Sequence, residues 1–300
     1  MKIADCFMYF NEKDIAYLRI KELYDSVDYF VINEATTTHL GNEQRKLLFW
    51  KDERLNEFKD KIHYKPINLM RNYGEFTSKL FPEWKMRLGE QEQRARLHEG
   101  LYELNLNEDD FVFISDCDEI PNKNSFQTLS QHQLVAFNQM FFVHYINVYT
   151  NKNVTGTVAC RFGKMKHINN QYHNLALEVL RANKDFVPRI ENGGWHYSYM
   201  GGAKTVSKKV TAIPDGNLES PWKTEESSQK LIEESIKNRK SPFSTEPLDI
   251  IDLDIKFLNL NFITAIQGRW ERHTAVYESY PRVLENNGKN EFKDLIYTNE

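Results

Sequence analysis

Cysteine is scarce here, and its three positions, Cys6, Cys117 and Cys160, lie far apart. An odd, unpatterned set makes neither a disulfide framework nor a zinc site, and reduced thiols in a cytoplasmic protein are the simplest reading. No run approaches the roughly 20 apolar residues that span a bilayer. The opening Met1-Lys-Ile-Ala-Asp-Cys6 turns acidic at once, without the apolar core of a signal peptide. The expectation is therefore a soluble cytoplasmic protein with no membrane span. Neither sign of charge dominates: 39 Lys and Arg stand against 43 Asp and Glu, a net charge of −4. That argues against a nucleic-acid binder or a membrane-surface protein. No Gly-x-Gly-x-x-Gly follows a strand and no phosphate loop ends in Gly-Lys-Ser/Thr, which removes ordinary dinucleotide binding and P-loop chemistry. Repeats, low-complexity stretches and linkers are missing too. One domain over 1–240, with an extension over 241–300 packed on it, is the expected organisation.

Aromatic residues are plentiful, 13% of the chain with 19 Phe and 15 Tyr, enough to fill a large core. Ile3 to Phe10 is apolar apart from Asp5 and reads as a strand. Ala16, Ile20, Leu23 and Val27 then recur at helical spacing, and Tyr29-Phe-Val-Ile32 is a second strand. Strand, helix, strand within about 30 residues is one right-handed crossover of a parallel sheet. A third strand is expected at Ile62–Ile67, an irregular loop at 68–82, and a long helix from Trp84 to about Leu106. Strands follow within 134–149 and at 157–162, then helices near 178–182, 204–211 and 225–239, with a loop over 212–222. The fold class is α/β: a mostly parallel central sheet flanked by helices.

The stretch Phe111-Val-Phe-Ile-Ser-Asp-Cys-Asp-Glu-Ile-Pro121 organises the rest. Its apolar start is a buried strand, and it breaks into Asp116, Asp118 and Glu119. Carboxylates crowded at the end of a buried strand repel one another and lose hydration, and a cation relieves both costs. Asp116 and Asp118 are two apart, so in extended chain they point to one side. That suits a hard divalent ion with positions left open for phosphate oxygens. Solvated acids at a strand exit are the plainer alternative. A second notable stretch, Glu191-Asn-Gly-Gly-Trp-His-Tyr-Ser-Tyr-Met-Gly-Gly202, brackets an aromatic run and His196 with glycine pairs. Glycine lets backbone approach closely, and aromatics stack on sugars or bases.

Four blocks occur in order: Asp5-Cys-Phe-Met-Tyr-Phe-Asn-Glu12, Leu23-Tyr-Asp-Ser-Val-Asp-Tyr-Phe-Val-Ile-Asn-Glu-Ala35, Ile114-Ser-Asp-Cys-Asp-Glu-Ile-Pro121 and Gly193-Gly-Trp-His-Tyr-Ser-Tyr199. Together they resemble glycosyltransferase family 17, the β-1,4-mannosyl-glycoprotein 4-β-N-acetylglucosaminyltransferase type. The resemblance implies a GT-A nucleotide-sugar-binding fold and an inverting transferase that uses a UDP-sugar donor, Mn²⁺ or Mg²⁺, and a glycan acceptor. It implies Asp118 as a direct metal ligand, Asp116 at the metal's water shell or the ribose, and His196 as a late metal ligand. Phe7, Asn11 and Glu34 would line the uridine pocket. Gln93-Arg94 resembles a Gln-Arg-Asn helix motif near the donor, with Ala95 in the third place. Val154-Thr-Gly156 stands where the family usually has Trp-x-Gly. A bacterial or viral glycan is the expected acceptor for a soluble enzyme of this kind.

Inverting transfer needs a carboxylate that takes the acceptor's proton. Glu191 is the first candidate because it abuts the glycine-aromatic segment, with Glu178 and Asp215 after it and Glu119 beside the metal. Two other classes are worth separating from this one. A haloacid-dehalogenase-type phosphatase also places Asp-x-Asp after a buried strand, but usually has Thr or Val where Ile120 stands. A non-catalytic carbohydrate- or nucleotide-sugar-binding protein would share the scaffold.

Overall fold

A computed structural model of the chain describes residues 1–39, 44–69, 82–172, 174–212, 220–242, 247–251 and 291–298, with 82–87 as backbone. β1 (Ile3–Tyr9), α1 (Lys13–Leu23) and β2 (Tyr29–Ala35) form the expected crossover, and β3 (Ile62–Ile67) follows. β1 pairs in parallel with β2 on one side and with β4 (Phe111–Asp116) on the other, and β2 pairs in parallel with β3. These four strands are the parallel half of the sheet.

Beyond β4 the sheet changes sense. β7 (Val148–Arg161) runs against β4, and β6 (Leu134–Val143) runs against β7. β9 (Gly194–Ser198) lies parallel to β6, and β5 (Glu119–Pro121) closes the far end against β9. The path is β3-β2-β1-β4-β7-β6-β9-β5, with β8 (Arg189–Ile190) on β6 and β10 (Asp249–Ile250) on β7. β4 and β5 are neighbours in sequence yet far apart in this order, so the sheet curls to bring its end back over the tip of β4.

Alternation along β1 sorts the two faces. Ile3, Phe7 and Tyr9 join the large cluster under α1, with Phe30, Phe113 and Trp195. Ala4 and Cys6 face the other way. There they meet Leu97 and Leu101 of α3 (Leu97–Leu101), Met165 of α4 (Phe162–Gln171) and Leu177 of α5 (Ala176–Ala182). Both faces are covered, which is why β1 and β4 read as nearly unbroken apolar runs. α6 (Gly202–Ala212) and α7 (Glu225–Lys237) pack on Val143 and Val148 in a smaller cluster.

Three local readings need correction. The helix expected from Trp84 to Leu106 is two helices, α2 (Pro82–Ala95) and α3, broken at Arg96. There Glu99 N bonds Arg96 O at 3.1 Å, a tighter i→i−3 turn that turns Leu97 and Leu101 onto the sheet. β7 begins at Val148 rather than 157, because its Asn151-Lys-Asn153 stretch is a polar arm of a hairpin with β6. α4 has no counterpart in the sequence reading; its mixed Phe162-Gly-Lys-Met-Lys-His pattern hid it. Most of the loops expected at 68–82 and 212–222 lies outside the described residues. The three cysteines are buried and unbridged. Among the described residues no helix is long and apolar enough to cross a membrane.

Candidate active site

Cys117 and Asp118 alone carry the chain from the end of β4 to the start of β5. A buried arginine of α1 shapes this step. Arg19, 0% exposed, donates to both oxygens of Asp5, at 2.7 and 2.5 Å. Its other hydrogens go to the carbonyl oxygens of Asp116 (3.0 Å), Cys117 (3.3 Å) and Glu119 (2.8 Å), and to Ser115 Oγ (2.6 Å). Backbone carbonyls at such a sharp exit lose their ladder partners, and the guanidinium supplies them. Sequence reasoning missed Arg19. The available signal was Asp5, a lone carboxylate in an apolar strand that needs a buried cation.

Asp116 and Glu119 share an arginine, while Asp118 is held apart from them. Asp116 Oδ1 accepts from Arg94 Nη2 and Oδ2 from Arg181 Nη2, both at 3.0 Å. Burial would raise its carboxyl, but Arg181 and Arg94 outweigh this and hold it well below the usual carboxylate range. Glu119, fully buried, accepts from Arg181 at 2.5 Å and lies 3.5 Å from Lys184. Its other oxygen takes the Asp116 backbone N–H at 3.1 Å. Asp118 turns the other way. Its Oδ2 accepts from Lys209 Nζ at 3.0 Å, and its Oδ1 lies 3.7 Å from His196 Nε2.

His196 arrives on β9, which slots between β6 and β5. Gly194 makes that fit possible: its φ is +127°, and a Cβ there would lie 2.2 Å from Ile120 O. Lys209 arrives on α6, entered through Gly201 and Gly202 with φ of +86° and +74°. Lys209 Nζ also lies 3.4 Å from Glu12 Oε1. Glu12 Oε2 is held by the Phe10 and Asn11 backbone N–H groups, both at 3.0 Å. Burial opposes the charge on Lys209, yet Asp118 and Glu12 leave its pKa raised.

Two cavities, of about 220 and 360 Å³, meet here. Met8, Tyr9, Phe10, His39, Gln93 and Asp116 line the first, at the carboxyl ends of β1 and β4. Asn11, Asp14, Tyr145, Tyr197 and Asp294 line the second. Glu12, Asp118 and Lys209 line both. The carboxyl ends of parallel strands, at a point where strand order switches, are where open α/β sheets take ligands.

The sequence-derived site residues divide accordingly. Asp116, Asp118 and His196 line the first cavity and Asn11 the second. Arg94 is buried behind Asp116, with Glu178 at 2.6 Å on its other nitrogen. Phe7 belongs to the core, with Arg19 4.6 Å over its ring, and the cleft faces of β1 are Met8 and Tyr9 instead. Glu34 is fully buried and caps the Leu48 and Phe49 N–H groups at 2.8 and 3.1 Å, so it braces a loop and lines neither cavity. Glu191 is exposed, accepts from Asn138, and lines neither cavity. Asp215 lies outside the described residues. Glu12, Arg181 and Lys209 were not singled out by the sequence; each is an ordinary charge until the sheet curls.

Among the described residues no three His, Cys, Asp or Glu converge as a metal site. An arginine holds each oxygen of Asp116. Asp118 Oδ1 and His196 Nε2 fit a hard cation held by two protein ligands and completed by substrate oxygens and water.

A search of curated proteins finds no match. The family model for glycosyltransferase family 17 matches residues 1–200, which include β1 through β9 and every acid of the exit. The chain therefore belongs to glycosyltransferase family 17 and is a glycosyltransferase.

Proposed function

We propose that the chain transfers a sugar, N-acetylglucosamine by default, from a UDP-sugar to a hydroxyl of a glycan acceptor with inversion. The observation that carries this is the meeting of two cavities at Asp118, one at the strand ends and one beyond α6. The uridine takes the first cavity, where Tyr9 and Phe10 offer aromatic faces and His39 and Gln93 offer polar edges. Asp116, kept ionised by two arginines, is aimed as an acceptor for ribose hydroxyls. The diphosphate lies toward Asp118, His196 and Lys209. Mn²⁺ or Mg²⁺, held by Asp118 and His196, would neutralise charge on the departing UDP.

The acceptor takes the second cavity. Its wall carries three carboxylates: Glu12, bonded by two backbone N–H groups, Asp14, bonded by Arg54 at 2.7 Å, and Asp294. Of the bases suggested by sequence, Glu178 is engaged by Arg94, and Glu191 would need to approach from outside the cavity wall. The general base comes from this wall.

The test is a panel of UDP- and GDP-sugars with Mn²⁺ and then with EDTA, read by thermal shift and nucleotide release. One UDP-sugar should stabilise the protein and be slowly hydrolysed only with metal. Stabilisation without any hydrolysis or transfer would favour a binding protein, and no response to any nucleotide would overturn the reading.

A further inference from the structure

The acids of the β4 exit are not equally committed. Asp116 and Glu119 are held by arginines buried behind the cleft, whose planar forks bond in fixed geometry. Asp118 is held by a lysine, a point charge on a flexible stem. Lys209 is 22% exposed, reaches Asp118 at 3.0 Å and Glu12 at 3.4 Å, and these same three residues line both cavities. Its ammonium occupies one oxygen of Asp118 at the place where the two cavities share their lining. The helix that carries it is entered through Gly201 and Gly202, both in the left-handed region.

We propose that Lys209 is a ligand of the donor's diphosphate and a tethered rival of the divalent cation on Asp118. Its charge satisfies Asp118 and disfavours a second cation beside it. A nucleoside diphosphate draws the ammonium off Asp118 onto its own oxygens. The freed carboxylate then accepts the cation. Cation and nucleotide bind cooperatively as a result, each strengthening the other by the same factor. The inference rests on the donor-site reading proposed above.

The experiment measures Mn²⁺ binding by electron paramagnetic resonance and UDP binding by calorimetry, in the full chain and in Lys209→Met. Wild type should bind Mn²⁺ weakly alone and about tenfold more tightly with saturating UDP. Lys209→Met should bind Mn²⁺ alone about tenfold more tightly than wild type, and bind metal-free UDP more weakly. Lys209→Gln serves as a second variant should the first fail to fold. Unchanged Mn²⁺ affinity in the variants, with UDP still bound by wild type, overturns the role of Lys209 alone. Failure of wild type to bind UDP, with or without Mn²⁺, overturns the donor site and the inference with it.

Discussion

Asp116 and Asp118 are chemically identical and two residues apart, yet their surroundings give them different work. Asp116, its side chain 35% exposed, bridges two buried guanidiniums that also hold Glu90, Glu178 and Glu119, so Asp116→Ala should cost about 1–3 kcal/mol in urea unfolding. Asp118 faces the cleft and a movable lysine, so Asp118→Asn should keep its fold and melting temperature while turnover falls about 100-fold or more. Equal stability loss in both variants would contradict this division. His144 offers a pH test away from the site. It is buried beside Trp222, both ring nitrogens lack a hydrogen-bond partner, and burial pushes its pKa down to about 4. The unfolded chain takes up that proton near pH 6.5, so the contribution is full above that pH and is lost as pH falls toward 4. The loss is about 3 kcal/mol. In His144→Asn, which tolerates the left-handed φ of +66° there, this part of the pH dependence should vanish from denaturation curves.

α1 is both a crossover helix and the brace of the acidic exit. Arg19→Met removes the partner of buried Asp5 and the donor to three carbonyls, and should cost about 3–5 kcal/mol. Circular dichroism with urea reads this; a loss below about 1 kcal/mol would show that the exit holds its shape without the guanidinium. The elements around it were open to sequence reasoning because both faces of β1 and β4 are covered and the apolar runs are plain. Ala176–Ala182, Gly202–Ala212 and Glu225–Lys237 also fell close to expectation. α4 and the first half of β7 did not, since their exposed polar residues break the apolar period. Asp116, Asp118 and His196 stood out as sequence motifs, and all three line the first cavity. Arg19, Arg181, Glu12 and Lys209 were not, because each becomes part of the site only through a contact more than 60 residues distant in sequence or by pairing with one that does.

Curling of the whole sheet is what brings β5 and β9 over the tip of β4 and sets His196 against Asp118. The chain's far end contributes to the same core. Phe292 and Leu295 are buried with Tyr17 and Ile146, and Asn147 bonds the backbone of Ile251 and Tyr297. Phe292→Ala should therefore destabilise the sheet domain by about 3–5 kcal/mol in a single unfolding transition, and an unchanged midpoint would detach this end from the core. The central claim, that the donor sits at the strand ends with its diphosphate toward Asp118, is tested most directly by a crystal structure of the chain with UDP and Mn²⁺. The account predicts uracil near Tyr9 and Phe10, ribose at Asp116, and the diphosphate within reach of Asp118, His196 and Lys209. UDP bound elsewhere, or diphosphate turned away from Asp118, would contradict it.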